Sequence, residues 1–562
     1  MIIYQVFTRL FHSTHGLNKP FGTIDENGCG KFNNFTSSVL QSLKSMGFTH
    51  IWFTGVIRHA TCTDYSQYGL ENDNPRIVKG RAGSPYAIKD YFDVDPDLAE
   101  NVAERMREFE ALVDRCHRVG LRVIIDFEPN HVCRQYRSVS KPSQIPDLGE
   151  ADDKSLFFSI NNNFYYIDQP LLLPSDIDYP YFENSPQYNE YPAKATGNNV
   201  FHAYPTVNDW YETIKLNYGV DFRNNMCCFD PRPNTWDRMV EILKFWAKKK
   251  VDGFRVDMAE MVPIEFWEWA INEVKQKYRQ LIFIAEVYNP HRSREFLNAG
   301  FDYLYDKEQF YNIMRDILKG NTLAWRLTSV WQEQEGIGNR MLRFLENHDE
   351  QRLASTFFCG NPEYAFPAFL VTATMHQGPL MVYFGQELGE NASESEGFSG
   401  YDGRTTIFDY WTVPSIRRWL SSHQLGNEYL SDEERKVRSF YLKCLELRNQ
   451  YKSVFEQRFF DLMYVNSDPA LSNVFAYLRY NQYTMILIIA SFDRNTEKDI
   501  LLKIPPLAFE MMDISGNCSL VFSDFFEPEL TITTSPQEAW EKGIPLHLKT
   551  LACMALVFRY QQ

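Results

Sequence analysis

Residues 281–287 read LIFIAEV, an apolar run that carries a single carboxylate, Glu286, near its C-terminal end. Such a run predicts a strand that is buried on both faces, as the strands of parallel sheets are. A carboxylate in this setting must be protonated, paired with a positive charge, or used in catalysis. Burial also raises its pKa. Glu286 is therefore either a proton donor that works near neutral pH or a structural acid paired with an arginine inside a barrel.

Strand and helix patterns alternate on both sides of this run. Apolar runs predict further strands at residues 4–11, 49–53, 121–126, 252–257, 341–345 and 380–385. Apolar residues at helical spacing predict helices at residues 37–46 and 101–117, from Asn234 or Thr235 onward, and at 432–451. This alternation indicates a parallel sheet with helices outside it. A chain of 562 residues suits two or three domains, or a large barrel with insertions, and the family resemblance described below implies the (β/α)8 TIM barrel.

The alternation is interrupted once and then ends. Residues 132–234 are rich in Tyr, Asn, Pro and Asp and are too long for a plain loop, so they predict a subdomain inserted after the third strand. After about residue 456 the apolar period becomes two, which predicts a C-terminal all-β sandwich. The predicted divisions are barrel, first part, 1–131; inserted subdomain, 132–234; barrel, second part, 235–455; and sandwich, 456–562.

Composition limits the range of functions. The net charge of −16 and the lack of a long basic block disfavour nucleic acid as a partner, and no apolar stretch is long enough to cross a membrane. The N-terminus leads straight into a strand without the pattern of a signal peptide. The ten cysteines show no CxxC pair and indicate reduced thiols. We therefore expect a cytoplasmic protein, although an exported protein without its leader would look the same.

Four of the predicted strands end in polar clusters. The clusters are Asp126 with Asn130 and His131, Arg255 with Asp257, Glu286, and Asn347 with His348 and Asp349. The carboxyl ends of parallel barrel strands converge on one face, where the active sites of such barrels lie. Several acids with His and Arg, but without a thiolate or a Ser-His pattern, suit chemistry on a neutral polyol. Retaining sugar transfer needs two carboxyl groups about 5–5.5 Å apart, and a third acid would stabilise the cationic transition state.

The same clusters carry a family resemblance. The segments DFEPNH at 126–131, GFRVD at 253–257, AE at 285–286 and FLENHD at 344–349 resemble the four sequence regions of the α-amylase superfamily of glycoside hydrolases. PYAIKDY at 85–91 and YFGQE at 383–387 add to the match, which covers about residues 1–455. Together the four regions are specific for the superfamily and much less so for the member.

The resemblance implies a role for each acid. Asp257 would be the nucleophile, Glu286 the general acid/base and Asp349 the stabiliser of the transition state. Arg255 would hold Asp257 ionised through a charge-assisted hydrogen bond, and Asp126 would brace Arg255.

The resemblance also implies three residues that contact the sugar. His131 and His348 would donate hydrogen bonds to it, and Tyr86 would stack on its ring. The alternative for each histidine is a satisfied polar residue at a strand end. The alternative for Tyr86 is a role in packing.

The chain departs from the family pattern at its metal sites. Many α-amylases have Lys-His shortly after the nucleophile, and the carbonyl of that histidine binds calcium; here the positions are Glu260 and Met261. Asn130 is the remaining part of that site. A second loop, residues 25–31, has Cys29 and Lys31 where a hard cation would need oxygen ligands. The resemblance implies no required cofactor, and it leaves Ca²⁺ open.

Three functions remain. The first is a retaining hydrolase of α-glucosidic, mainly α-1,4, bonds in α-glucans or maltooligosaccharides. The second is a transglycosylase or isomerase on the same scaffold, because hydrolysis and transfer share their first half-reaction and differ in how water reaches the acceptor side. The third is a non-catalytic carbohydrate-binding relative, although such proteins usually lose acids and all three are present here. The segment TIKLN at 213–217 resembles the family's fifth sequence region, which varies with specificity. It lacks the sequence typical of oligo-1,6-glucosidases, so the resemblance implies that the protein is not a specialist for α-1,6 bonds.

Overall fold

A computed structural model describes residues 1–11, 16–177, 185–422, 425–514 and 518–559 of the chain. Eight parallel strands form one sheet, in which the first strand lies between the second and the eighth. A bridge between Arg343 and Leu380 joins the seventh strand to the eighth, so the sheet closes into the predicted (β/α)8 barrel. Barrel strands 1 to 8, in chain order, are Ile2–Phe7, His50–Thr54, Arg122–Phe127, Gly253–Val256, Ile282–Ala285, Tyr303–Tyr305, Met341–Leu342 and Leu380–Tyr383.

Helices connect consecutive strands of the barrel, and Arg105–Arg118 illustrates why they form. Phe109, Leu112 and Val113 fall on one face and are buried, which contributes about 1.5–3 kcal/mol each. Gly120, with φ +79°, follows the end of the helix in the left-handed conformation that helix ends favour. The other α-helices of the barrel region are Ile24–Asn27, Ser37–Ser45, Asn234–Lys248, Ile264–Lys275, Ser293–Asn298, Asn312–Leu318, Leu327–Glu333, Phe366–Thr374, Pro414–Ser421, Asp432–Gln450 and Lys452–Phe455.

The predicted subdomain lies between barrel strand 3 and the helix Asn234–Lys248, and it consists of short strands and loops. Its first strand pairs antiparallel with its fourth, which places His131 opposite Lys215. The subdomain therefore leaves the mouth of the barrel and returns to it. Its strands are His131–Cys133, Tyr166–Ile167, Ala193–Lys194, Thr213–Lys215, Val220–Asp221 and Met226–Cys227.

The C-terminal region is built of antiparallel strands, as the period of two predicts. One sheet has six strands, in the spatial order Arg458–Asp461, Val474–Tyr480, Thr484–Ser491, Cys553–Arg559, Leu520–Asp524 and Thr531–Thr534. A second sheet pairs Lys498–Leu502 with Ile544–Leu548. The short helices Pro506–Glu510 and Pro536–Glu541 complete this region.

Three barrel strands depart from the sequence prediction by more than two residues at an end or were not predicted at all. Strand 1 stops at Phe7, and a 3-10 turn, Thr8–Leu10, continues its apolar run. Strand 7 is only Met341–Leu342, although the apolar residues run on to position 345. Apolar side chains are buried in the turns at the barrel mouth as well as in the strands, so hydrophobicity overestimates strand length there. The sequence does not predict strand 6, Tyr303–Tyr305, because three residues are too few to show a period.

All ten cysteines are free thiols, in agreement with the expectation from their spacing. Within the described ranges, no helix combines the length and the apolar character that a membrane span needs.

Candidate active site

One buried arginine joins three of the predicted acids. Arg255, at the end of barrel strand 4, is completely buried. Its Nη1 donates to Asp257 Oδ1 at 2.8 Å and to Asp126 Oδ1 at 3.4 Å, and its Nη2 forms an ion pair with Glu286 Oε1 at 2.7 Å. Trp52 Nε1 donates to the other oxygen of Asp126 at 3.0 Å. The acids meet because strands 3, 4 and 5 are neighbours in the barrel and their carboxyl ends lie side by side.

Glu286 agrees with both interpretations made from the sequence, because it pairs with Arg255 and also lines a cavity. Tyr288 donates its hydroxyl to Glu286 Oε1 at 2.6 Å, and the Met258 N–H donates to Oε2 at 2.8 Å. Burial raises the pKa of Glu286; Arg255 opposes this, and Asp257 adds to it. The geometry thus gives a carboxyl group that is oriented by donors and biased toward its protonated form.

The backbone immediately after Asp257 is strained. Met258 has φ +42°, in the left-handed region that non-glycine residues rarely adopt. Such a conformation costs on the order of 1–3 kcal/mol and is typical of functional sites. In this left-handed conformation, the backbone N–H of Met258 donates a hydrogen bond to Glu286.

Asp349 lies beside His348 and Tyr86. His348 Nε2 is 3.1 Å from Asp349 Oδ2 and 2.5 Å from the Tyr86 hydroxyl, and the His348 and Tyr86 rings stack with centroids 5.2 Å apart. Gln5 contacts the other ring nitrogen of His348 at 2.9 Å. Burial would raise the pKa of Asp349, but His348 and Arg255 outweigh it and lower that pKa to about 2. Asp349 is therefore ionised at neutral pH.

His131 faces the same cavity from the subdomain side. Burial lowers the pKa of His131 to about 4, so its ring is neutral at pH 7. Asn130 Nδ2 lies 3.1 Å from His131 Nδ1, and the Trp210 ring is 5.2 Å away. Gly197 packs directly against this histidine: a Cβ there would lie 2.9 Å from His131 Cβ and 2.7 Å from Thr213 Oγ1. Any side chain at position 197 would clash with His131 and Thr213, which explains why this residue is a glycine.

A cavity of ≈ 400 Å³ opens above these residues, and we call it the catalytic cavity. Five of the eight site residues predicted from sequence line it: Tyr86, His131, Asp257, Glu286 and Asp349. The other three lie beneath the lining and hold it in place: Asp126, Arg255 and His348. The structure thus brings together all eight residues, from barrel strands 3, 4, 5 and 7 and from the loop after strand 2.

The sequence did not single out several other residues of the cavity wall. Tyr288 lies two positions after Glu286, so the period of an extended chain would have placed it on the same face. Lys79 and Glu212 form an ion pair in the wall, with 3.1 Å between Lys79 Nζ and Glu212 Oε1. Glu212 is buried, with only 4% of its surface exposed. They come from separate loops and show no sequence pattern. Trp210, Phe398, Ile407 and Phe408 add an apolar portion.

A lysine lies where the resemblance left the first calcium site open. The Lys215 ammonium donates to Asn130 Oδ1 and, at 3.2 Å, to the carbonyl oxygen of Met261. Burial alone lowers the pKa of Lys215 to about 7. Both acceptors are neutral oxygens, so the ammonium satisfies the atoms that a cation would otherwise contact.

The second loop also uses a lysine. Lys31 donates to the carbonyl oxygen of Asp97 at 2.5 Å, and the Cys29 thiol contacts the same oxygen at 3.5 Å. Over the described parts of the chain, no group of three or more His, Cys, Asp or Glu residues has the arrangement of a metal site.

Comparisons with known proteins agree with the barrel fold. A family model described as alpha amylase, catalytic domain, matches residues 5–409. Alpha-amylase 3 of Dictyoglomus thermophilum is 22% identical over 80% of this chain and 76% of its own length. Neopullulanase 2 of Thermoactinomyces vulgaris is 20% identical over 90% of this chain and 71% of its own length.

Solved structures share the fold. The crystal structure of a noncanonic maltogenic alpha-amylase, AmyB from Thermotoga neapolitana, has a TM-score of 0.63 and 20% identity, and the alignment covers 100% of this chain and 99% of that one. The fold and the site thus define a glycoside hydrolase with a (β/α)8 catalytic domain. Because the family model covers most of the chain, the protein belongs to the α-amylase family.

Proposed function

We propose that the protein is a retaining glycoside hydrolase that cleaves α-glucosidic bonds, mainly α-1,4, in α-glucans or maltooligosaccharides. One observation carries the proposal: Arg255 holds Asp257 and Glu286 on its two terminal nitrogens, in a cavity that Asp349 also lines. Two carboxyl groups on one guanidinium are necessarily close together. This suits the separation of about 5–5.5 Å that retention requires better than the wider gap of inverting enzymes.

The reaction proceeds in two steps. In the first, Asp257 attacks the anomeric carbon, the bond from that carbon to the leaving oxygen breaks, and Glu286 gives its proton to that oxygen. The product of this step is a covalent glycosyl-aspartate. In the second, the Glu286 carboxylate takes a proton from water, the water oxygen attacks the same carbon, and Asp257 leaves as a carboxylate.

The charges around the cavity support the roles assigned to the three acids. Arg255 favours the ionised form of Asp257 against the burial that raises its pKa. Asp349, with its pKa lowered to about 2, supplies a fixed negative charge beside the developing oxocarbenium ion. Burial and the two neighbouring acids favour the protonated form of Glu286. The two steps need Glu286 to start neutral and the other two acids to start ionised. The raised pKa of Glu286 and the lowered pKa of Asp349 agree with this, whereas Asp257, whose pKa burial also raises, depends on Arg255 for its ionised form.

The remaining predicted residues bind and position the sugar. The neutral His131 can donate from its ring to a sugar hydroxyl, while His348 stays fixed between Tyr86 and Asp349. The Tyr86 ring lines the cavity and offers a surface for the sugar ring. Asp126 positions Arg255 from below.

We also propose that the activity needs no organic cofactor and no calcium. Lys215 fills the first family calcium position, between Asn130 and Met261, with its own ammonium group. In the loop of residues 25–31, which resembles the second calcium loop of the family, Lys31 supplies another ammonium group. Each lysine occupies the position of a cation with its own nitrogen, and each would repel a divalent cation while it is protonated, which for Lys215 means below a pKa of about 7.

Transfer to a sugar acceptor is the second candidate, and the apolar wall favours it. Trp210, Phe398, Phe408 and Met258 line the catalytic cavity, and a wall that disfavours water prolongs the life of the glycosyl-aspartate. An acceptor hydroxyl would then replace water in the second step. The relatives include a cyclomaltodextrin glucanotransferase of Bacillus sp., 22% identical over 69% of this chain and 49% of its own length.

Incubation with maltoheptaose and chromatography of the products tests both candidates. Shorter fragments alone indicate hydrolysis, whereas fragments longer than the substrate indicate transfer. Glu286→Gln should lower turnover by roughly 100- to 10,000-fold, the usual contribution of a general acid, and should leave folding and oligosaccharide binding intact. Glu260→Gln is the matched control, since Glu260 lies nearby but outside the cavity lining. Full activity in the Glu286 variant would overturn the assignment.

A further inference from the structure

A buried amide of barrel strand 1 contacts the histidine beside Asp349. Gln5 is completely buried and does not line the catalytic cavity. Its Nε2 donates to Thr54 Oγ1 at 3.1 Å and lies 2.9 Å from His348 Nδ1. Thr54 is the last residue of barrel strand 2, so the amide connects the first two strands to the histidine that follows strand 7. The mechanism described above makes no use of this contact.

The surroundings of Gln5 determine which way its amide points. Nε2 has two neighbours that can accept a hydrogen bond, whereas Oε1 has no partner among the described residues. In the reverse orientation the NH2 group would take the place of Oε1, and both of its buried donors would be unpaired. One unpaired carbonyl oxygen is less costly than two unpaired donors. The amide therefore directs an N–H at His348 Nδ1.

A donor at Nδ1 fixes the form of the His348 ring. A neutral imidazole has one bare nitrogen that accepts and one N–H that donates, whereas an imidazolium donates from both nitrogens. Because Gln5 donates to Nδ1, the proton of the neutral ring lies on Nε2. That N–H faces Asp349 Oδ2 at 3.1 Å and the Tyr86 hydroxyl at 2.5 Å. An imidazolium would set an N–H of His348 against an N–H of Gln5.

The acids around His348 act in the opposite direction. Burial would lower the pKa of His348, but Asp349 outweighs it, and the pKa is raised. Asp126 acts with Asp349, and Arg255 acts against it. The acids that follow strands 3 and 7 thus favour the imidazolium, and the amide of Gln5 opposes it. A charged ring would partly cancel the negative charge of Asp349.

We propose that Gln5 is a positioning residue for the glycosidase reaction: its amide keeps His348 neutral, with the proton on Nε2, so that Asp349 presents its full negative charge to the cationic transition state. The inference rests on the proposed function for the reaction, whereas the form of the ring follows from the contacts of Gln5 alone. A fixed charge that is not cancelled stabilises the transition state more strongly, because the cavity is partly closed to water.

The pH dependence of kcat/KM tests the inference, with release of 4-nitrophenol from a maltooligosaccharide glycoside as the assay. Gln5→Met removes the donor at Nδ1 and keeps a side chain of similar length. His348 should then bind its second proton at a higher pH. We expect the acidic limb of kcat/KM to move up by about half to one pH unit, the value of one neutral hydrogen bond. Above the limb, kcat/KM should stay within about threefold of the wild type.

Two further variants make the test specific. Gln5→Glu places a carboxylate where it can accept from Nδ1, and it should move the limb at least as far. Gln386→Met is the matched control, because Gln386 is also a buried amide and donates to the Tyr441 hydroxyl at 3.0 Å, away from His348. It should lose stability in a thermal melt and keep the limb in place. An equal loss of kcat/KM at every pH in Gln5→Met, or an equal shift in the control, overturns the inference.

Solid-state ¹⁵N NMR of protein labelled at histidine examines the ring without a substrate, and His348→Gln identifies the signals. The wild type should show one protonated and one bare nitrogen at His348 near neutral pH, and Gln5→Met should gain the second proton at a higher pH than the wild type. Two protonated nitrogens in the wild type, or equal titration of the two proteins, rejects the inference. If the wild type cleaves no glycoside, the proposed function fails, and these spectra then decide whether Gln5 sets the form of the ring.

Discussion

Replacing Tyr288 by phenylalanine removes one hydrogen bond from Glu286 and keeps the aromatic ring. The hydroxyl donates to Glu286 Oε1 at 2.6 Å, and a donor of this kind favours the ionised form of the carboxyl group. Without it, burial and the neighbouring acids raise the pKa of Glu286 further. Glu286 must be protonated to act as the general acid, so activity is lost as the pH rises through its pKa. We expect the alkaline limb of kcat/KM to move to higher pH in Tyr288→Phe.

The size of the shift follows from the hydrogen bond. A bond to a charged group contributes about 1.5–3 kcal/mol and one to a neutral group about 0.5–1.5 kcal/mol. The difference, about 1–1.5 kcal/mol, is what separates the two protonation states. Since one pKa unit corresponds to about 1.4 kcal/mol, the limb should move by about one pH unit.

The assay is the rate of 4-nitrophenol release from a maltooligosaccharide glycoside across the pH range. Tyr188→Phe is the matched control, because its hydroxyl donates to Glu190 Oε2 at 2.8 Å in the subdomain, and neither residue lines the catalytic cavity. A limb that stays in place, or moves to lower pH, would refute the role of Glu286 as the titrating acid. A similar shift in Tyr188→Phe would show that the effect is not specific to the site.

Three further predictions concern the charges around the cavity. Asp257→Ala should lose turnover, and azide should restore it on an activated glycoside to give a product of inverted configuration by NMR; the absence of rescue would count against the covalent ester. Arg255→Met leaves three buried acids without their cation, so we expect a loss of about 3–5 kcal/mol in urea unfolding as well as of turnover. An unchanged unfolding midpoint would contradict the ion-pair network. The pKa of Lys215 is about 7 in the folded protein, which is below its pKa in the unfolded chain. Above pH 7 the folded protein therefore binds fewer protons than the unfolded chain. The free energy of unfolding should then rise with pH by at most about 1.4 kcal/mol per pH unit. Thermal melts of Lys215→Met should lack this rise, and EDTA should leave the wild-type melt unchanged; a calcium-dependent melt would reject the ammonium as the substitute for the cation.

Much of the fold and the central acids could be predicted because both follow from local rules. Buried parallel strands give apolar runs that a reader can recognise, and their carboxyl ends share one face, so Asp257, Glu286 and Asp349 could be placed together before any coordinates existed. The same rule fails for barrel strand 6, where three residues, Tyr303–Tyr305, leave no pattern.

The rest of the site depends on how distant loops meet, and a single sequence does not contain that information. Lys79 and Glu212 pair across two irregular segments, and neither segment has a period or a motif. Lys215 reaches Asn130 only because its strand pairs in one register with the strand that begins at His131. Shifting that register by one residue would turn the lysine to the other face.

The contacts of Lys215 also have a consequence for how the chain reaches its final form. The lysine bridges to Asn130, 85 positions earlier, and to Met261, 46 positions later. The longer loop closes only after the whole subdomain has returned to the barrel mouth, and contacts at such sequence distance form slowly. A chain emerging from the ribosome can pair barrel strands 1 to 3 before residue 215 has been made. The substrate pocket is thus completed late in folding. A nascent chain that stalls before that point would contain much of the first half of the barrel and would be catalytically inactive.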